Sequence, residues 1–256
     1  MYLIVSLNVN GYNDEVHSLL EKYLELNPDI IFLSETKSKP NKLVPYLDRF
    51  TNYYYIINSN IPSCYHGVVM LINKRLHFKQ LDVNLGIKPR RDTNSNDVST
   101  GRIIGIVLEE KYNIIGTYVP NSGIEGIGYK YYYRVEQWDP ALFNYLNEIK
   151  KQRTTIWIGD INVAPESNDV SNPMLMSTWA GFREQERLNF KQYIDNGWID
   201  LWRQEHPNEL GYSWGTSVNK MRLDNILSSK ELLYKSFILK QSNVTDHAMI
   251  GVYIKQ

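Results

Sequence analysis

The sequence predicts an α/β fold in which two β-sheets pack face to face and helices cover their outer surfaces. Three observations carry that expectation. Short β-branched or aromatic runs recur along the chain, segments of helical spacing sit between some of them, and neither a fixed-period repeat nor a linker divides the 256 residues. The chain is therefore expected to be a single domain over residues 1–256.

Residues 3–7 form the first expected strand, which stops at Asn8-Val9-Asn10-Gly11. Asn13 suits a helix N-cap with Asp14 and Glu15 in the first turn, and Val16, Leu19, Leu20, Tyr23 and Leu24 keep helical spacing until Asn27-Pro28. Residues 29–33 make the next strand, followed at once by Ser34-Glu35-Thr36-Lys37. Such a strand–helix–strand unit sets its strands parallel, with both exits on one edge. Residues 53–58 and 67–72 suit strands with a turn at Pro62-Ser63, and 84–101 reads as a polar loop. A hairpin of residues 102–108 and 112–118 leads into Tyr118-Val119-Pro120-Asn121. Trp138, Leu142, Tyr145, Leu146 and Ile149 mark an amphipathic helix that ends in Lys150, Lys151 and Arg153. It feeds a strand at 154–158, after which Gly159 is expected to turn the chain sharply, so that Asp160 and Asn162 reach one pocket from a single corner. A helix over 183–195 stops at Asn196-Gly197, and 199–202 and 212–214 are short apolar pieces. Arg222 and Asp224 enter a strand ending near residue 227, and Thr245-Asp246-His247 precedes the last strand.

Composition narrows the class. Lysine plus arginine equals aspartate plus glutamate at 28 each, so any polyanion-binding surface has to be local, as at Lys88, Arg90 and Arg91. Hydrophobic residues at 43% and charged residues at 22% exclude a disordered or fibrous chain. Cys64 stands alone, which excludes an intramolecular disulfide and a cysteine-rich zinc site and fits a reducing compartment. No apolar run approaches the roughly 18 residues of a membrane span, and the chain opens on a strand instead of a basic leader. The expectation is an intracellular protein of nucleus or cytoplasm, without signal peptide or membrane partner.

Collected together, the strand exits carry Asn8, Asn10, Glu35, Tyr118, Asn121, Asp160, Asn162, Asp224, Asp246 and His247. Each alone is more often an ordinary polar turn or a satisfied buried side chain. As a set they are what phosphodiester hydrolysis asks for. Glu35 can hold a hard divalent cation, which neutralises charge on phosphate and leaving oxygens. Asp160 would orient or deprotonate water, while Asn8, Asn121, Asn162, Tyr118 and His247 can donate to phosphate without adding negative charge. A hydrogen bond from His247 to Asp224 would favour the imidazolium and raise its pKa. His17, His66, His77 and His206 lack metal-ligand spacing and read as structural or surface residues.

At these residues the chain resembles the endonuclease/exonuclease/phosphatase superfamily. The motifs are Leu7-Asn8-Val9-Asn10-Gly11, Leu33-Ser34-Glu35-Thr36-Lys37, Tyr118-Val119-Pro120-Asn121, Gly159-Asp160-Ile161-Asn162-Val163-Ala164, Arg222-Leu223-Asp224 and Asp246-His247. It is most similar there to the exonuclease III-type apurinic/apyrimidinic endonucleases, because the likeness continues through Gly101-Arg102, Arg134, Trp138, Asn172-Pro173, Ala180-Gly181-Phe182 and Gln185-Glu186-Arg187. The resemblance implies a four-layered α/β sandwich of two mixed sheets flanked by helices. It implies cleavage of double-stranded DNA 5′ to an abasic site with Mg2+, or Mn2+ as the alternative, by a monomer, with 3′-exonuclease or 3′-phosphodiesterase activity as an addition. By the same resemblance Glu35, Asn10 and Asp246 belong to the metal, Asp160 and Asn162 to the nucleophile, and Tyr118, Asn121 and His247 to the phosphate, with Asp224 paired to the His. Asn8, Arg222, Trp214, Met221 and Leu223 join them on the substrate side, the last three as an apolar pocket for a base-free sugar. Three positions depart from some relatives. Asn10 stands where others carry Asp, Met221 where others carry Trp, and Ile124 where others insert an Arg into the duplex. Two other readings remain: a less selective nicking enzyme or exonuclease of retroelement type, and a nuclease-derived DNA-binding module that has lost catalysis.

Overall fold

The computed structural model describes residues 1–59, 66–87, 101–123 and 127–255. The expected turn at Pro62-Ser63, Cys64, the cluster of Lys88, Arg90 and Arg91, and Ile124 lie outside the described residues. In chain order the strands are β1 (Tyr2–Asn8), β2 (Ile30–Ser34), β3 (Tyr53–Asn58), β4 (Val68–Asn73), β5 (Phe78–Leu81), β6 (Ile103–Leu108), β7 (Tyr112–Tyr118), β8 (Thr154–Asp160), β9 (Ile199–Asp200), β10 (Trp214–Gly215), β11 (Lys220–Met221), β12 (Asp224–Ser228), β13 (Tyr234–Ile238) and β14 (Ile250–Ile254). The α-helices are α1 (Asp14–Tyr23), α2 (Pro40–Leu47), α3 (Tyr129–Tyr132), α4 (Asp139–Ile149), α5 (Pro173–Met176), α6 (Glu184–Asp195) and α7 (Leu201–Glu205).

Two six-stranded mixed sheets result, ordered β13-β14-β1-β2-β4-β3 and β5-β6-β7-β8-β12-β9. Each contains a parallel pair, β1 with β2 across α1 and β7 with β8 across α4, and its other described pairs are antiparallel. Alternation along the strands builds the layers. Ile4, Ile30, Phe32, Met70, Ile114, Ile156, Ile158 and Ile226 point into the core between the sheets. Val5, Leu7, Ile31 and Leu33 point the other way, onto Val16, Leu20, Leu43 and Leu47 of α1 and α2. Ile115, Trp157 and Leu227 meet Leu142, Leu146, Phe190 and Tyr193 of α4 and α6 on the opposite side. Strands covered on both faces read as unbroken apolar runs, which is how they stand in the sequence.

Local chemistry explains most boundaries. Asn13 caps α1 by accepting from the Val16 amide at 2.9 Å. Glu109 and Glu110 take left-handed φ of 49° and 52°, the backbone that a tight hairpin between β6 and β7 requires. Gly159 behaves differently from the expectation. It lies inside β8 opposite Thr117 and Asn225, with φ of +140°, and a Cβ there would fall 2.1 Å from the Thr117 carbonyl oxygen. The glycine lets two strands approach, and the sharp turn falls at Asn162, with φ of 51°. Sequence patterning also misses α2, because Pro45 lies inside it, although Pro40 begins it at a position that suits a fixed φ. β5 and β13 escape notice as half-exposed edge strands of mixed polarity.

Behind β12 lies a buried ion cluster. The fully buried Arg222 guanidinium reaches Asp169 at 2.6 and 3.0 Å and Asp200 at 2.8 and 3.1 Å, and Arg203 meets Asp169 at 2.5 Å. Burial opposes ionisation of Asp169, but the two guanidiniums overcome it and hold the carboxyl below its usual range. Removing one member strands a buried charge. Arg222→Ala is therefore expected to lower the unfolding free energy by about 3–5 kcal/mol in urea titrations at neutral pH. Because the Asp169 carboxyl is depressed in the folded state, its contribution is present above about pH 4 and is lost as the pH falls through the folded value. A midpoint unchanged by Arg222→Ala would show the cluster to be energetically idle.

Candidate active site

The carboxyl ends of β1, β2, β7 and β8 open on the same edge of the sandwich, where β12 begins and the chain enters β14. Register does much of the placing, since Asp160 lies opposite Tyr118 on one side and Asp224 on the other. At this edge the sheets are joined by a buried amide. Asn8 Nδ2 donates to Glu35 Oε1 at 3.0 Å and to Asp160 Oδ2 at 2.9 Å, so the acids of the two sheets face a common centre. A cavity of about 550 Å³ opens there. Asn10, Glu35, Tyr118, Asn121, Asp160, Asn162, Asp246 and His247 form its polar side, with Trp214, Met221 and Leu223 opposite. A larger groove of about 640 Å³ runs along α6 near Trp198, but none of these strand-end groups lines it.

Hydrogen bonds fix each group. The Asn162 amide donates to Asp160 Oδ1 at 2.9 Å, the Asn162 side chain donates to the Val119 carbonyl at 2.8 Å, and Asn121 donates to Asn162 Oδ1 at 3.1 Å. His247 Nδ1–H donates to Asp224 Oδ2 at 2.7 Å, and that oxygen also accepts from Ser213. Burial disfavours a charged His247, yet Asp224 and the nearby acids more than offset it and raise the imidazole to about 10. Asp160 moves in the opposite sense to an ordinary surface acid: burial first, then Asp224, push it up to about 7 against the pull of His247. Glu35 is lowered, because Lys37, Asn8 and Tyr118 outweigh its own burial. Asn10, Glu35, Lys37 and Asn162 all adopt left-handed φ, between 47° and 54°. For Glu and Lys this conformation has no intrinsic reward, and strain of that kind is held where the surrounding fold imposes it.

The residues fit a hard cation. Glu35 Oε2 and the Asn10 carbonyl oxygen both face one positive group, Lys37 Nζ, at 2.6 and 2.5 Å. Asp246 stands behind, with one oxygen accepting from Asn10 and the other from Trp214. Asp160, Asp224 and His247 also bring donor atoms within 4.8 Å of one another. In that group His247 is committed to Asp224 Oδ2, while Asp224 Oδ1 is buried without a hydrogen-bond partner among the described residues.

The expectation for Arg222 needs correction. Its guanidinium is fully buried in the ion cluster and does not line the cavity, so it anchors the entry to β12 from behind the site. Asn8 and Asp224 are likewise buried behind the lining, Asn8 against Glu35 and Asp160 and Asp224 against His247. Thr178, Trp179 and Ala180 complete the apolar wall. Their signal lay in the Ala180-Gly181-Phe182 likeness. Arg102 is a further unforeseen neighbour, with its guanidinium 4.8 Å from the Tyr118 ring and 3.1 Å from both His66 ring nitrogens.

Fold and site together define a hydrolase of the phosphodiesterase class, with acids, amides and an imidazolium at the meeting edges of an α/β sandwich. The profile of the "Endonuclease/Exonuclease/phosphatase family" matches residues 5–247. A DNA-(apurinic or apyrimidinic site) endonuclease of Dictyostelium discoideum is 30% identical over 98% of this chain and 70% of its own length. An exodeoxyribonuclease of Bacillus subtilis is 30% identical over 82% of the chain and 79% of its own. Among solved structures, an AP endonuclease from Archaeoglobus fulgidus superposes with a TM-score of 0.82 at 25% identity, covering all of both chains. The chain belongs to the Endonuclease/Exonuclease/phosphatase family, and within it to the exonuclease III-type apurinic/apyrimidinic endonucleases, divalent-metal-dependent nucleases of DNA repair. No helix among the described residues is long and apolar enough to cross a membrane.

The His247–Asp224 pair yields a pH prediction. Wild-type activity is expected to keep its alkaline limb near pH 10, the value to which the imidazole is raised. Asp224→Asn removes the largest causes of that rise and leaves burial, which lowers it, opposed only by Asp160 and Asp246. The limb in kcat/KM should move down from pH 10 toward neutral, and a limb that stays in place would show that the imidazolium is not required.

Proposed function

We propose that the protein hydrolyses the phosphodiester 5′ to an abasic site in double-stranded DNA, acting as a monomer with Mg2+ or, alternatively, Mn2+. The observation that carries this reading is the bridge from Asn8 to both Glu35 and Asp160, which supports one acid holding a cation and the other activating water beside the same phosphate. Glu35 and the Asn10 oxygen would hold the ion, with Asp246 behind them, and the ion would supply neutralisation of charge on the phosphate and leaving oxygens. Asp160 takes a proton from the attacking water, and its raised pKa suits a base working near neutral pH. Asn162 aligns that water from its tight turn at the end of β8. The Asn121 amide, the Tyr118 hydroxyl and the remaining N–H of His247 donate to the phosphate as its charge grows. The water oxygen bonds to phosphorus as the P–O3′ bond breaks, and O3′ takes a proton from solvent, leaving a 3′-hydroxyl and a 5′-phosphate on the base-free sugar. Trp214, Met221 and Leu223 form an apolar wall beside these groups, suited to a sugar without a base.

A second reading, a less selective nicking enzyme or exonuclease, is favoured by the likeness to the B. subtilis exodeoxyribonuclease. One comparison separates the two: Mg2+-dependent cutting of an abasic-site duplex, the same duplex intact, and a duplex with a recessed 3′ end. Preference for the abasic strand is expected. Equal cutting of intact DNA would favour the second reading, and DNA binding without any product would point to a module that has lost catalysis.

A further inference from the structure

Lys37 lies three residues beyond the end of β2, and its ammonium sits where a metal ion would have its ligands. The oxygens around it leave little else for that place. Asn10 has its NH2 committed to Asp246 Oδ1 at 3.1 Å, so its carbonyl oxygen turns inward to Lys37 Nζ. Glu35 has Oε1 committed to Asn8 at 3.0 Å, so Oε2 turns inward to the same Nζ. Three left-handed residues, Asn10, Glu35 and Lys37, shape the corner, which means that backbone geometry and not side-chain chance brings the lysine back onto the carboxylate. The charges then cancel locally, because Asn10 is neutral and Glu35 is balanced by Lys37. Exit is open: the Lys37 side chain is 38% exposed and that of Glu35 17%, so the ammonium can swing into solvent without disturbing the core.

We propose that Lys37 occupies the cation position of this site and that a divalent ion binds by displacing its ammonium, which makes Lys37 the residue that sets metal affinity. The inference rests on the reading of Glu35 and Asn10 as metal-holding residues. The exchange makes and breaks no covalent bond; one positive group leaves two oxygens and another takes them. With Lys37 in place the ion must first remove a salt bridge, so the wild-type protein binds metal weakly and releases it readily.

Isothermal titration of Mn2+ and of Mg2+ into DNA-free wild type, Lys37→Met and Lys37→Arg tests this. Methionine keeps the unbranched stem without charge, whereas arginine keeps the charge. Lys37→Met is expected to bind about tenfold more tightly than wild type, the order expected of one unit charge a few ångström from the ion under strong solvent screening. Lys37→Arg should bind no more tightly than wild type. Thermal midpoints with and without metal give a second readout and report whether each variant is folded, with the largest metal-induced rise in Lys37→Met. Affinity in Lys37→Met equal to or weaker than wild type would overturn the role of Lys37 alone. Neither heat nor a thermal shift in any of the three proteins would overturn the metal site itself, so the two failures are distinguishable.

Discussion

Asp160→Asn should reduce strand scission by about three orders of magnitude or more while the protein stays folded and retains DNA binding. The carboxylate proposed to activate water lies at the joint of the two sheets, and an amide of the same shape cannot accept the proton. The change keeps the side chain's shape and one of its two bonds, because the single amide oxygen can accept from either Asn8 or the Asn162 amide, which meet different oxygens of the carboxylate. Folding energetics give an independent check. Asp160 has a folded pKa of about 7, above its ordinary value, so the native state keeps a proton that the unfolded chain releases. Stability from this group is therefore present below about pH 4 and lost as the pH rises through 7. In Asp160→Asn that loss should vanish, so the variant's stability in urea should no longer fall as the pH rises through 7 the way wild type's does. Loss of activity together with loss of that pH-dependent destabilisation is the signature of a group kept for chemistry at a cost to the fold. Scission within tenfold of wild type would remove Asp160 from the mechanism.

Much of this arrangement could be read in the residues before any coordinates. β1, β2, β7 and β8 announce themselves because each is an apolar run cut off by an acid, amide or phenol, and two of their connections are helical crossovers that force parallel pairing. Parallel pairing puts the exits at Asn8 and Glu35 on one edge of the first sheet and those at Tyr118 and Asp160 on one edge of the second, and it is the packing of the sheets, bridged by Asn8, that brings Glu35 and Asp160 together. What escaped the reading depends on partners that sequence order hides. Arg222 opens the motif Arg-Leu-Asp and looked available to substrate, but its counter-ions Asp169 and Asp200 come from a short 3-10 turn and from β9. Gly159 looked like a turn residue, and only the neighbouring strand shows that the Thr117 carbonyl excludes a side chain there. Trp179 and Lys37 belong to segments that were noticed, yet their directions follow from backbone turns without a periodic signal.

Glu35→Ala should cost at least about a thousandfold in activity at a fixed low metal concentration and, separately, abolish most of the metal-induced rise in thermal midpoint. Two effects are joined in this carboxylate. Its Oε1 accepts from the same Asn8 amide that holds Asp160, and its Oε2 is the charged oxygen facing the cation position. Removing it takes away the anionic ligand there and leaves only the neutral Asn10 oxygen, with Asp246 tied up by Asn10 and Trp214. Raising the metal concentration should recover only part of the rate, because the remaining oxygens can be filled by mass action but Asn8 no longer has its second acid to orient it. Glu35→Gln separates the contributions: its amide oxygen can still accept from Asn8, but the charge is gone, so metal affinity should fall as in Glu35→Ala while rate at saturating metal recovers further. A metal-dependence curve for Glu35→Ala that overlays the wild-type curve would mean that the ion is held elsewhere, with the internally paired Asp160, Asp224 and His247 group as the next place to look.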